Sequence, residues 1–184
     1  LGRHAPVWRL RLAANPSDAA WLAAAAPWER PRTLSALESA WRLERKGVAG
    51  FEATFAALRE VRRREMLRVT ARDLAGRAPL EETVAELSAL ADFCLRRGLD
   101  VCLEEQAVRH GAPATGFAVF AMGKLGGQEL NYSSDIDPIL IFDPETLPRG
   151  AREEPVETAV RLARRMVEVL SARDAVDVTV VVAP

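Results

Sequence analysis

Little in this chain would staple it with metal or disulfide, hold it in a membrane or bind it to a polyanion. There are two cysteines in 184 residues, Cys94 and Cys102. Their spacing of eight matches no zinc or redox pattern, so they read as small core residues on two different helices in a reducing cytosol. Neither sign of charge is in excess. A formal net charge of −1 argues against bulk electrostatic binding of nucleic acid. No apolar run approaches ~18 residues, so no membrane span is expected. Nothing at the start resembles a secretory signal, which points to the cytoplasm. The chain opens on Leu1 rather than Met and reads as a piece of a longer protein.

What the chain has is apolar surface and alanine. Apolar residues make up 49% of it, enough for a real core, and the abundance of Ala favours helices. Asn15-Pro16-Ser17-Asp18 is a turn and cap signal opening a helix over 19–26, stopped by Pro27. Trp8, Trp21 and Trp28 read as packing residues. Thr33 is an N-cap for a helix closed by Gly47, with Leu34, Leu37 and Trp41 on one face. A longer helix runs from Gly50 to Leu74 on Phe51, Phe55, Leu58, Val61, Met66 and Val69. Its run Arg62-Arg63-Arg64, with Arg59, sits among Glu60 and Glu65. That reads either as a solvated face with i,i+4 ion pairs or as a cationic surface toward a phosphate or an acidic partner. Pro79 starts the next helix, which Arg96-Arg97-Gly98 close, and Asp100 caps a further one over 101–109. His110 reads as a charge favoured at that helix end rather than a catalytic base.

Strands begin at Phe117. The stretch from Gly116 to Asp143 reads GFAVFAMGKLGGQELNYSSDIDPILIFD. A short apolar run, Phe117 to Ala121, has the length of a buried strand. Gly123, Lys124, Gly126 and Gly127 follow, where backbone amides can approach a phosphate without a Cβ in the way. A short polar helix is expected next, then a strand over 136–142. On it Asp135 and Asp137 share a side about 7 Å apart, a spacing that suits a hard cation shared with substrate phosphates. A lone Asp-x-Asp is common at solvated strand ends, and so is a glycine turn without phosphate. The ordered combination suggests metal-assisted nucleotidyl or phosphoryl transfer. Beyond a loop, Pro155 opens a helix to about Arg173, and Val176 to Val182 reads as a third strand.

That order resembles the DNA polymerase β-like nucleotidyltransferase superfamily, a Gly-Ser turn followed by Asp-x-Asp on the next strand. More closely, GKLGGQELNYSSDID resembles the glutamine synthetase adenylyltransferase/deadenylase family, and RRREMLRVTARDLAG extends the likeness upstream. The resemblance implies an α+β fold: a helical region over 1–114, then a small nucleotidyltransferase-type core over 115–184 that reads as cut short at its last strand. The Glu129 to Ser134 context is similar to the N-terminal, deadenylylating domain. The implied reaction is phosphorolysis of an adenylyl-tyrosine on glutamine synthetase. Asp135 and Asp137 would hold Mg²⁺; Gly123, Lys124, Gly126 and Gly127 would cradle phosphate; Ser134 would orient the first carboxylate. Implied partners are glutamine synthetase, a nucleotide (ATP or ADP), phosphate and a PII-type signalling protein, with glutamine as effector.

Three departures from the pattern stand out. Lys124 occupies the place of the superfamily's serine. Pro138 stands where the family has a large aliphatic, and proline is confined to strand edges, starts or bulges. Asp177 falls where a third acid is expected but lacks the flanking arginines, so it reads equally as a structural strand residue. The tail therefore predicts an incomplete, impaired site. Two rival readings are another nucleotidyltransferase on the same core and a non-catalytic helical interaction fragment.

Overall fold

The computed structural model describes residues 12–24, 30–171 and 181–183. Trp8, Pro27, Trp28 and Asp177 lie outside the described residues, as does most of the expected third strand. Among the described residues, a helical stretch over 12–14 is followed by α1 (Pro16–Ala24), α2 (Leu34–Arg45), α3 (Phe51–Leu74) and α4 (Leu80–His110). Then follow β1 (Phe117–Ala121), the four-residue α5 (Gly123–Gly126), β2 (Pro138–Phe142), α6 (Pro155–Ser171) and β3 (Val181–Ala183). This is an α+β arrangement. Among the described residues, no helix is long and apolar enough to cross a membrane.

Local chemistry accounts for most helix ends. The Thr33 hydroxyl accepts from the Ala36 amide at 3.3 Å, so α2 is capped where expected. Leu37 and Trp41 are buried, whereas Leu34 is exposed. Pro16 begins α1 directly, three residues earlier than expected, because proline suits the first helical turn. Gly111 closes α4 in the left-handed conformation, with φ of 66°.

One expectation fails. The break at Gly98 is absent, and α4 runs unbroken for 31 residues. Arg97 and Asp100, read as a helix end and a new cap, instead pair with each other at 2.8 Å. Gly98 is buried where a Cβ would lie 3.5 Å from Leu170 and 4.0 Å from Leu58, so helix packing on both sides carries the helix through its weakest residue. Cys94 and Cys102 therefore share one helix; both are free and buried, and burial pushes each thiol up to about 12.

Arg59 and Arg62 to Arg64 are half-buried, and Arg64 makes the expected i,i+4 pair with Glu60, but the arginines farther along α3 are not solvated. Arg68 and Arg72 are almost wholly buried. Arg68 bonds Glu65 at 2.8 Å and also Glu86 of α4, while Arg72 reaches Glu86 at 3.2 Å and pairs with Glu82. Arg32 adds a 2.8 Å bridge to Glu65. Nearer the surface, Arg63 pairs with Asp18 and Glu60, and Arg64 with Glu44 and Glu60.

The sheet is mixed, in order β1-β2-β3, with β1 antiparallel and β3 parallel to the central β2. Pro138 sits at the start of β2 opposite Ala121, a strand position proline tolerates. Helices cover one face. Leu125, Leu130, Ile136 and Leu140 join a single apolar core with residues of α2, α3, α4 and α6.

The Gly98 geometry generates a stability test. A Cβ there meets only ordinary van der Waals contacts, and glycine is costly inside a helix. Gly98→Ala is expected to stabilise the chain by about 0.5–1 kcal/mol in chemical denaturation. A loss of stability would show that the α4–α6 contact tolerates no added methyl.

Candidate functional site

Period-two alternation continues upstream of β2. Ile136, Pro138, Leu140 and Phe142 are buried, whereas Asp135, Asp137 and Ile141 are exposed and Ile139 is half-buried. Both carboxylates therefore stand on the face away from the helices, as the strand argument expects. That face continues through Phe120 and Ala118 of β1, the register partners of Ile139 and Ile141. Phe120, Met122 and Ile141 are 53%, 49% and 38% exposed, so apolar surface adjoins the two acids.

The glycine segment differs from expectation. No polar helix follows the glycines; Gly123 to Gly126 themselves form the single helical turn α5, and residues 127–135 are turns and loop ahead of an isolated β-bridge at Ile136. The Gly126 amide donates to the Met122 carbonyl at 3.1 Å and that of Gly127 to the Gly123 carbonyl at 3.0 Å. Those two amides are thus used inside the turn, and the glycines act through shape. Gly123 has φ of 55°, open to glycine at little cost. At Gly126 a Cβ would lie 2.6 Å from the Ala121 carbonyl oxygen, so only glycine lets α5 sit against β1.

Lys124 is exposed and donates to the Ser134 hydroxyl at 3.2 Å, which ties the glycine turn to the residue preceding Asp135. Ser134 in turn donates to the Asn131 carboxamide oxygen at 2.7 Å, which also accepts from the Ser133 amide at 3.1 Å. Asn131 is an organiser that the sequence reading passed over; Asn followed two residues on by serine is a known turn signal.

The helices hold this loop from behind. Ser88 of α4 accepts from the Leu130 amide at 3.0 Å, and Asp92 accepts from the Gln128 carboxamide at 3.0 Å. Tyr132 stands by Thr70 and Asp73 near the end of α3; partial burial and the Asp73 charge raise its phenol well above the usual range. Tyr132 was also missed, because these neighbours lie some sixty residues away.

Neither Asp135 nor Asp137 makes an ion pair or side-chain hydrogen bond among the described residues. Among those residues no cluster of three metal-ligating side chains occurs. The structure brings together Asp135, Asp137, Lys124 and Ser134 at one end of the sheet, while Asp177 lies outside the described residues. His110 sits at the end of α4, 4.0 Å from Glu153, in a separate cluster with Arg161.

Comparison with known proteins follows the same lines. Residues 11–180 match the model of a family described as glutamate-ammonia ligase adenylyltransferase. The bifunctional glutamine synthetase adenylyltransferase/adenylyl-removing enzyme of Bordetella pertussis is 39% identical over 180 residues, covering 91% of this chain and 19% of that protein. The enzyme of the same name from Nitrosococcus oceani is 42% identical over 125 residues, 63% of this chain and 13% of that one. That from Burkholderia mallei is 35% identical over 167 residues, 83% and 17% respectively. The chain spans about a fifth or less of the length of these relatives.

The two adjacent glycines make a paired test. Gly126→Ala is expected to destabilise by about 1–3 kcal/mol, because its methyl overlaps a backbone carbonyl that cannot retreat. Gly127→Ala, with nothing nearer than 3.6 Å, is expected to stay within about 0.5 kcal/mol of the parent. Equal effects in denaturant titrations would contradict the packing role given to Gly126.

Proposed function

Since the chain belongs to the glutamate-ammonia ligase adenylyltransferase family, we propose that it carries the adenylyl-transferring site of a larger enzyme acting on glutamine synthetase, in the adenylyl-removing direction. The observation that carries the reading is the placement of Asp135 and Asp137 on either side of buried Ile136, both on the open sheet face beside Lys124 and Ser134. The mixed sheet, with a helical turn between β1 and β2, supports a nucleotidyltransferase-type core over 115–184 following the helical region over 1–114. The direction rests on the likeness of Glu129 to Ser134 to the deadenylylating domain and on the adenylyl-removing activity in the relatives' name.

The acids fit a divalent cation. Both are exposed and uncommitted to other side chains, and Mg²⁺ takes one or two carboxylates, filling its sphere with water and substrate phosphate. When bound there, Mg²⁺ supplies charge neutralisation at the phosphoryl group. The remaining work falls to the chain. Lys124 offers a mobile positive charge to a phosphate oxygen. Ser134, fixed by Asn131, holds the Lys124 ammonium beside the carboxylates. The exposed Phe120 and Met122 give the substrate an apolar floor. In the reaction an oxygen of inorganic phosphate bonds the adenylyl phosphorus, and the bond from that phosphorus to the tyrosyl oxygen breaks. The leaving oxygen takes up a proton, yielding ADP and free tyrosine. Asp177 is the candidate third acid. A PII-type protein and glutamine are the regulators this reading carries with it.

ADP release from adenylylated glutamine synthetase and phosphate tests the proposal. Asp135→Asn/Asp137→Asn is expected to lower turnover by on the order of a hundredfold or more, with the fold intact by circular dichroism. Lys124→Met is expected to weaken nucleotide affinity while leaving the melting temperature nearly unchanged, since an exposed loop lysine adds little stability. Full activity in the double variant, or unchanged nucleotide affinity in Lys124→Met, would overturn the assignment.

A further inference from the structure

Behind the two acids, on the helix side of the loop that carries them, lies a cavity of about 70 Å³. Its walls are mainly apolar: Leu87, Leu90 and Cys94 of α4, together with Ile136, the residue between Asp135 and Asp137. Its polar lining includes Arg62 of α3 and Ser134 of the loop. Arg62, like Arg59 one turn earlier, differs from the arginines that follow it. Arg63, Arg64 and Arg68 all hold carboxylates. Arg62, half-buried, makes no ion pair or side-chain hydrogen bond among the described residues. It lines the same cavity as the buried Cys94 thiol.

A guanidinium drawn partly out of water with no counter-charge is costly unless an anion meets it. The space beside it is large enough for several waters, yet its walls offer them few partners, which favours an apolar body. We propose that this cavity binds a small amphipathic carboxylate, a short-chain alkyl acid. Its carboxylate lies on Arg62 and its chain against Leu87, Leu90, Cys94 and Ile136. Contact with Ile136 transmits occupation to both acids, because Ile136 is the buried residue that sets their orientation. The cavity shares Ser134 with the proposed reaction site, but its binding is measured without any turnover.

The probe is hexanoate, titrated into the full 184-residue chain by calorimetry, with backbone amide shifts followed at Asp135, Ile136 and Asp137. Saturable binding with shifts at those three amides is expected, and hexylammonium, of similar shape and opposite charge, is expected not to bind. Arg62→Gln should weaken hexanoate about tenfold at an unchanged melting temperature, the cost of a lost charge-assisted pair. Ala91→Leu, which fills the cavity from α4, should abolish binding. Should that variant fail to fold, Arg62→Gln and hexylammonium still decide. Equal affinity for hexylammonium, no effect of Arg62→Gln, or competition by inorganic phosphate as strong as by hexanoate itself would each overturn the proposal.

Discussion

Charges buried between α3 and α4 are the constraint on which the rest of this structure depends. Arg68 and Arg72 project from α3 into protein, where Glu65 and Glu86 meet them and Glu82 closes the edge. Such a cluster contributes modestly to net stability, since desolvation offsets most of the attraction. Removing one partner, however, strands a charge at a cost of about 3–5 kcal/mol, so the arrangement resists sliding. The two helices are therefore held in one register, and that register places Ser88, Asp92, Thr70 and Asp73 where they meet the loop.

From there the geometry of the site follows from the pleat. The loop is anchored at Leu130 and Tyr132 to the helical layer, and Ile136 turns into the same core. A strand residue that faces the core sends both neighbours the other way, so the carboxylates emerge on the uncovered face. Gly126 brings α5 against Ala121, and Lys124 consequently reaches Ser134. The helical region is thus a scaffold for the acids as well as a neighbour in sequence.

How much of this was legible depended on how local the cause was. The Thr33 cap, the α3 face and the same-side placement of Asp135 and Asp137 are set by near neighbours and read directly from residue order. The continuity of α4 was not, because Arg97-Gly98 followed by Asp100 has the local chemistry of a stop and a start, while Leu58 and Leu170 that override it come from other helices. The glycine turn was misread as a loop with a helix after it, since the carbonyl of Ala121 that demands Gly126 belongs to a strand. The pairs of Arg63 and Arg64 with Glu60 follow from i,i+3 and i,i+4 spacing and were legible, whereas the buried pairs of Arg68 and Arg72 with Glu86 were not, because Glu86 lies on another helix. Tyr132 and Asn131 had signals, one long-range and one a simple turn motif.

The central claim is that Asp135 and Asp137 act as one cation-binding pair on the open face of the sheet. Titration calorimetry of Mn²⁺ into this chain, with ATP present to complete the coordination sphere, tests it most directly. The account predicts saturable binding that is lost in Asp135→Asn/Asp137→Asn while the double variant keeps the parent's melting temperature. Equal Mn²⁺ affinity in parent and double variant would contradict it.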